Sequence, residues 1–236
     1  MRTLEDRILE RFKPAERPSA YAGGSKLRTL LDLPDLKGKR VLDFGCGAGE
    51  ETRELARLGA EAYGCDIRDL PTHRGAWFGR AEDLPVKMDY IISLDAFEHF
   101  GDPAAILETM ASLLKPDGEV LLSFGPTWYH PLGGHLFSVF PWAHLAFSEE
   151  ALIRWRAQYR SDGATRFSEV EGGLNQMTIK RFEKLVAASP LKIKNLTCVP
   201  IRKAKRFHNR FTREFLTAIV RCGLIADAPS QHDAAL

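Results

Sequence analysis

No apolar run in the sequence approaches the roughly 18 consecutive residues that a spanning helix requires, so no membrane-crossing segment is expected. A surplus of one charge sign is missing as well. Lys and Arg number 33 against 31 Asp and Glu, and the net charge of +2 gives no global pull toward nucleic acid or a membrane surface. Cysteine is scarce. The four present, Cys46, Cys65, Cys198 and Cys222, sit in apolar contexts without disulfide or metal-ligand spacing, as reduced thiols of a cytoplasmic protein do. The opening Met-Arg-Thr-Leu-Glu-Asp-Arg carries acids and lacks the apolar stretch of a signal peptide. Repeats and low-complexity tracts are absent. What remains, 236 residues of which 44% are hydrophobic, suffices for one sizeable core with an insertion.

Glycine, by contrast, is concentrated where it matters. Residues 41–49 read Val-Leu-Asp-Phe-Gly-Cys-Gly-Ala-Gly: a buried strand ending near Asp43, then a turn in which Gly45, Gly47 and Gly49 let the backbone approach a ligand. A helix from Glu50 to Leu58 follows, closed by Gly59, and a second strand from Glu61 to Cys65 delivers Asp66 at its tip. A carboxylate there can accept both hydroxyls of a ribose. The dinucleotide fingerprint wants Gly or Ala at position 50, where this chain has Glu50 followed by Glu51. Two carboxylates in the first helical turn oppose a pyrophosphate but suit the helix dipole and a ligand bearing an ammonium and a sulfonium. A nicotinamide dehydrogenase is thereby disfavoured.

The Asp-x-Gly-x-Gly-x-Gly pattern resembles motif I of the class I S-adenosylmethionine-dependent methyltransferases, and Gly-Cys-Asp-Ile at 64–67 resembles motif II. Residues 79–86, Gly-Arg-Ala-Glu-Asp-Leu-Pro-Val, are similar to the family's adenine-lining loop, departing from it at Arg80. Ser-Leu-Asp-Ala-Phe-Glu-His at 93–99 is similar to a block of the ubiquinone-biosynthesis-type enzymes. The resemblance implies S-adenosyl-L-methionine as cofactor, leaving as S-adenosyl-L-homocysteine. It implies Asp43, Gly45, Cys46, Gly47 and Gly49 around the methionine moiety, and Asp66 with Ile67 at the ribose. Ala81, Glu82, Asp83 and Leu94 would line the adenine, with Asp95 at the mouth of the site. His99 is read as a buried imidazole orienting its turn.

The implied fold is α/β: a Rossmann-like, seven-stranded, mostly parallel sheet with an antiparallel last strand, helices on both faces and a cap inserted after the fifth strand. One domain is expected over 1–236. It divides into an N-terminal helical segment (1–37), a cofactor-binding core (38–124), a cap (125–176), the C-terminal part of the sheet (177–224) and a tail (225–236). Strands are expected at 89–95, 119–124, 191–199 and 215–222, and helices from Pro103 and from Thr178. Leu4, Ile8, Leu9 and Phe12 predict an amphipathic helix packed on the body.

The cap leaves the sheet at the edge where open α/β folds bind ligands. Its Trp128, Tyr129 and Trp142 are candidate walls for an acceptor, and the segment from Tyr21 to Lys26 can reach over the cofactor. Methyl transfer to a hydroxyl needs collinear alignment, exclusion of water and a base. His130, His135, His144 and Asp95 are the candidates for that base. These three histidines lack nearby acids at ligand spacing, so no metal site is expected. Residues 202–213 hold Arg202, Lys203, Lys205, Arg206, Arg210 and Arg213 without an acid, read as a solvated helix face. The function expected is methyl transfer to a small-molecule acceptor, at a hydroxyl oxygen. An RNA methyltransferase and a non-catalytic cofactor-binding regulator are the alternatives; the slight aromatic interleaving and near-neutral charge disfavour nucleic acid.

Overall fold

In a computed structural model of the chain, described over residues 2–13, 26–27, 31–66, 77–84, 86–170 and 172–227, seven strands form one sheet. They are β1 (Arg40–Phe44), β2 (Glu61–Cys65), β3 (Trp77–Gly79), β4 (Met88–Leu94), β5 (Leu114–Phe124), β6 (Leu191–Pro200) and β7 (Thr217–Ala226), in the spatial order β3-β2-β1-β4-β5-β7-β6. The β1–β2, β2–β3, β1–β4 and β4–β5 pairs are parallel, whereas β7 runs antiparallel to both β5 and β6. The strand order therefore reverses between β1 and β4, which opens a crevice at their carboxyl ends.

Side-chain alternation along β1 builds both faces. Val41 joins Leu55, Ala62, Ile92 and Leu121 in a core under α2 (Glu50–Arg57). Leu42 and Phe44 point the other way, into the larger core with Leu107 and Met110 of α3 (Pro103–Leu113) and Phe182 and Val186 of α6 (Ile179–Ala187). Asp102 caps α3 by accepting from the Ala104 and Ala105 amides, with Pro103 in the first turn. The Pro116-Asp117-Gly118 run falls inside the β5 range. There the register jumps from Met88–Leu114 to Tyr90–Glu119.

The cap has a core of its own. Phe137, Phe167 and Leu174 surround Leu152 and Trp155 of α5 (Glu149–Arg156). Leu9 of α1 (Leu4–Leu9) is buried in the same cluster. The N-terminal helix thus docks on the cap and not on the sheet, leaving Leu4 73% exposed. Polar groups fix that choice: Glu5 accepts from Ser148 N and Oγ at 2.9 and 2.6 Å, and Asp6 accepts from Arg154. The remaining cap helix is the single turn α4 (Ala143–Ala146).

The last strand begins later than the pattern suggests. Phe215 lies in α7 (Arg213–Leu216), whose Glu214 accepts from Ile179 N and Lys180 N and so caps α6. The strand also runs on through Ala226, past the expected start of the tail at 225. The basic segment is a 3-10 helix at Arg202–Phe207 followed by irregular chain, not one solvated helix. Arg206 and Arg210 lie over the rings of Phe207 and Phe211. Among the described residues, no helix is long and apolar enough to cross a membrane.

Candidate active site

The turn leaving β1 is tied to the tip of β2. Gly45 N and Cys46 N both donate to the Cys65 carbonyl, at 2.8 and 3.0 Å, and Gly47 N donates to Asp66 Oδ2 at 2.9 Å. Gly45 has φ +80°, and a Cβ built on it would lie 3.0 Å from the Ala96 Cβ. Conformation and space both require glycine there. Asp43 faces α2 and is 3% exposed, accepting a 2.7 Å hydrogen bond from Thr52 Oγ1. Burial, helped by the nearby Glu51 and Asp66 charges, pushes its carboxyl up to about 7.

That shift has a testable sign. The unfolded carboxyl titrates near 3.8, so the stability it contributes is complete below that pH and is lost as pH rises through about 7. Asp43→Asn keeps an acceptor for Thr52 and removes the charge. Its melting temperature, measured by calorimetry, is expected to gain on the wild type as pH rises from about 4 to about 7 and to level off above that. A pH-independent difference contradicts the assignment.

Across the crevice, Ser93 Oγ donates to the Phe44 carbonyl and locks β4 to β1. Asp95 follows β4 with φ +49°, its amide donating to Ser123 O at 2.8 Å. Its carboxylate meets Lys26 Nζ at 3.2 Å, while Lys26 N donates to Glu51 Oε1 at 3.1 Å. Lys26 therefore spans the two rims of the crevice, from the tip of β4 to the first turn of α2. Leu94 is partly buried against the α2-side core. Ala81, Glu82 and Asp83 form one 3-10 turn, where Ala81 packs on the larger core and Glu82 is exposed and paired with Arg80. Ile67 and Tyr21 lie outside the described residues.

The structure separates the three cap histidines. His144 is 3% exposed; its Nε2–H donates to Trp128 O at 2.6 Å and its Nδ1 faces Ser138 Oγ at 3.3 Å. A Cβ on Gly134 would lie 2.4 Å from the His144 Cβ, so Gly134 is what lets this ring pack. His130 is 8% exposed and its Nδ1 accepts from Leu132 N at 3.0 Å. Burial pushes both imidazoles down from the usual range. These two hold the cap together. His135 instead faces His99, with ring centroids 5.0 Å apart and a 78° interplanar angle. Beside them is Glu98, 2% exposed, whose Oε1 accepts from Gly125 N at 3.2 Å. Burial, with the Asp95 charge nearby, pushes its carboxyl up to about 8.

Trp128 packs in the cap core, its ring 5.5 Å from that of Phe167. Tyr129 and Trp142 are 38% and 39% exposed; Trp142 Nε1 donates to Tyr129 O, and the Tyr129 ring lies 5.3 Å from Phe215. Lys26 ends the segment expected to reach over the cofactor, whereas sequence reasoning passed over Glu98 and Asn175. Asn175 donates from Nδ2 to Phe97 O and Phe100 O, and its amide donates to Glu98 O, clamping the turn that carries Glu98 and His99. The Glu-His pair at 98–99 closes the 93–99 block and so marks Glu98; nothing local marks Asn175.

Comparison with known proteins agrees with this geometry. A family model described as a methyltransferase domain matches residues 15–170, more than half of the chain. The ubiquinone biosynthesis O-methyltransferase of Nitrosococcus oceani is 32% identical over 114 residues, 42% of this chain and 48% of that protein. Its counterpart in Neisseria meningitidis is 36% identical over 107 residues, 38% of this chain and 45% of that protein. The chain spans about half the length of the curated relatives it matches. A solved S-adenosylmethionine dependent methyltransferase from Mesorhizobium loti superposes with a TM-score of 0.51 at 17% identity, covering 81% of this chain and 93% of that one, and shares the fold. Because the matched segment contains the whole crevice from the turn after β1 to the tip of β4, the chain belongs to the methyltransferase-domain family.

Proposed function

We propose that the chain is an S-adenosylmethionine-dependent methyltransferase acting on a hydroxyl oxygen of a small-molecule acceptor. The observation that carries this reading is the glycine turn bonded to Asp66 through Gly47 N, facing Asp95 across the crevice. The residues present fit the cofactor. Gly45, at φ +80° and packed close to Ala96, keeps the turn tight, Asp66 stands at the tip of β2 for the ribose, and Glu50 and Glu51 favour a cationic ligand over a pyrophosphate. When bound, S-adenosylmethionine would supply a sulfonium methyl group open to in-line attack by the acceptor oxygen, an oxygen–carbon bond forming as the carbon–sulfur bond breaks and a neutral thioether leaves.

The chain's residues then have separable tasks. Gly45 to Gly49 place backbone against the methionine moiety, with Asp43 and Thr52 fixing the turn from beneath. Leu94 and residues 81–83 border the adenine. Lys26 closes the crevice from above and holds the Asp95 carboxylate at the mouth. Asp95 and His135 are the candidates for taking the acceptor proton; His130 and His144 serve the cap. Tyr129 and Trp142 keep enough exposure to border an apolar or planar acceptor. The names of the relatives, O-methyltransferases of ubiquinone biosynthesis, support oxygen as the atom methylated.

Incubation with methyl-labelled S-adenosylmethionine and a small-molecule cell extract tests this directly. The label is expected in a low-mass product as an O-methyl ether or ester. Label confined to RNA overturns the acceptor class, and cofactor binding without any labelled product overturns the catalytic reading.

A further inference from the structure

We propose that the acceptor carries an anionic group, a carboxylate or a phosphate, which docks on the basic segment between β6 and β7. The inference rests on the methyl-transfer reading above and narrows the class of acceptor. Arg202, Lys203, Lys205, Arg206 and Arg210 are all exposed, and among the described residues none of them has a carboxylate partner. Arg213 differs, pairing with Glu183 at 2.6 Å, and Glu214 is occupied by the α6 amides. Solvated surfaces ordinarily intersperse both signs, whereas a run of unpaired cations raises the local concentration of anions.

Topology puts this segment on the ligand edge of the sheet. Because β7 is antiparallel to both β5 and β6, β6 runs parallel to β5 and ends at the edge from which the cap departs. The chain from Ile201 to Leu216 leaves and rejoins the sheet there, closed by Ile201 N donating to Leu216 O at 2.8 Å. The ring of Tyr129, a candidate acceptor wall, lies 5.3 Å from that of Phe215 and so joins the wall to the segment. At about 4.8 Å per strand, β6 stands roughly 14 Å from β4. The anionic group therefore sits at the end of the acceptor away from the reacting hydroxyl.

The cations are also held for the task. The guanidinium carbons of Arg206 and Arg210 lie 4.5 and 4.4 Å from the ring centroids of Phe207 and Phe211. A phenyl face steadies a guanidinium without the strong acceptor a carboxylate offers, so the planar fork stays available for a carboxylate or phosphate. That accounts for two Phe side chains left 55% and 76% exposed. The turn beneath them is fixed: Thr212 Oγ1 donates to Phe207 O at 2.6 Å, Phe211 N donates to Asn209 Oδ1 at 2.9 Å, and His208 Nε2 lies 2.9 Å from Thr217 Oγ1. One short segment in a chain of net charge +2 makes no track along an RNA backbone. The rings lie against guanidiniums and are not bare for insertion into a lipid surface.

The full chain, saturated with S-adenosylhomocysteine, is titrated with phenyl phosphate and benzoate as anionic probes and benzyl alcohol as the neutral one. The better anion is expected to bind with a Kd of about 1 mM, and the alcohol at least about tenfold more weakly. Whichever anion binds more tightly identifies phosphate or carboxylate as the docked group. The double variant Arg206→Ala/Arg210→Ala should lose at least about fivefold in anion affinity, with S-adenosylhomocysteine affinity and melting temperature unchanged. Lys194→Ala, whose ammonium pairs with Glu119, should bind the probes as the wild type does. Equal affinity in wild type and double variant, or equal affinity for alcohol and anions, overturns the docking site. So does binding of RNA or anionic vesicles without binding of either anionic probe. In the cell-extract assay the labelled product is expected to be retained by an anion exchanger at about pH 8. A neutral labelled product overturns this inference and leaves methyl transfer standing. Absence of any labelled product removes the methyl-transfer reading, and the probe titration then decides the docking site by itself.

Discussion

Asp66→Ala is expected to weaken S-adenosylmethionine binding by about thirty-fold or more, with little change in melting temperature. The carboxylate is partly buried at the tip of β2 and has one strand-end position from which to meet a ribose. Two hydrogen bonds to a charged acceptor are each worth about 1.5–3 kcal/mol, and losing both exceeds the 2 kcal/mol or so that thirty-fold represents. Asp66 also accepts from Gly47 N, so alanine frees the glycine turn at the same time. Asp66→Asn keeps one acceptor and should fall between the two. Isothermal titration of the three proteins gives the ranking; equal affinity of wild type and Asp66→Ala would show that the ribose is held elsewhere.

Trp155→Ala should produce the largest loss of stability. The side chain is 1% exposed, packs among Leu9, Phe137 and Phe167, and donates from Nε1 to the Phe12 carbonyl at 3.1 Å. Truncating a buried Trp costs about 3–5 kcal/mol through lost burial and the remaining cavity. Here it also unpins the N-terminal helix, because Leu9 and Phe12 both depend on that ring. The cap core is separate from the two sheet cores, so the damage should appear first as loosening of the cap. Urea unfolding with hydrogen exchange reads both. A loss below about 1 kcal/mol, or exchange spread evenly over the sheet, would contradict a distinct cap core.

How far the fold was legible depended on how local each signal was. The β1–turn–α2–β2–Asp66 sequence could be read because each step is punctuated by glycine or by an abrupt change of polarity, and the structure joins its ends through one 2.9 Å bond. The start of β7 could not. Phe215 continues an apolar pattern, and only the tertiary demand for Glu214 as the α6 cap turns residues 213–216 into a helix. Leu4 and Ile8 suggested an apolar face for α1, but ion pairing with the cap decided where the helix landed. The cap histidines show the limit most sharply. His130, His135 and His144 sit in equally aromatic surroundings along the chain; which carbonyl or carboxylate each meets is fixed by residues far away in sequence. Lys26 was legible only as the end of a segment able to reach over the cofactor; its partners Asp95 and Glu51 are distant along the chain and close only across the crevice.

The central claim is that the crevice between β1 and β4 holds S-adenosylmethionine, and calorimetric titration of the purified chain with S-adenosylhomocysteine tests it most directly. One site per chain with a Kd of about 1–10 μM, and no comparable heat from NAD, is the predicted result. No saturable binding of either S-adenosylhomocysteine or S-adenosylmethionine up to about 1 mM would contradict it.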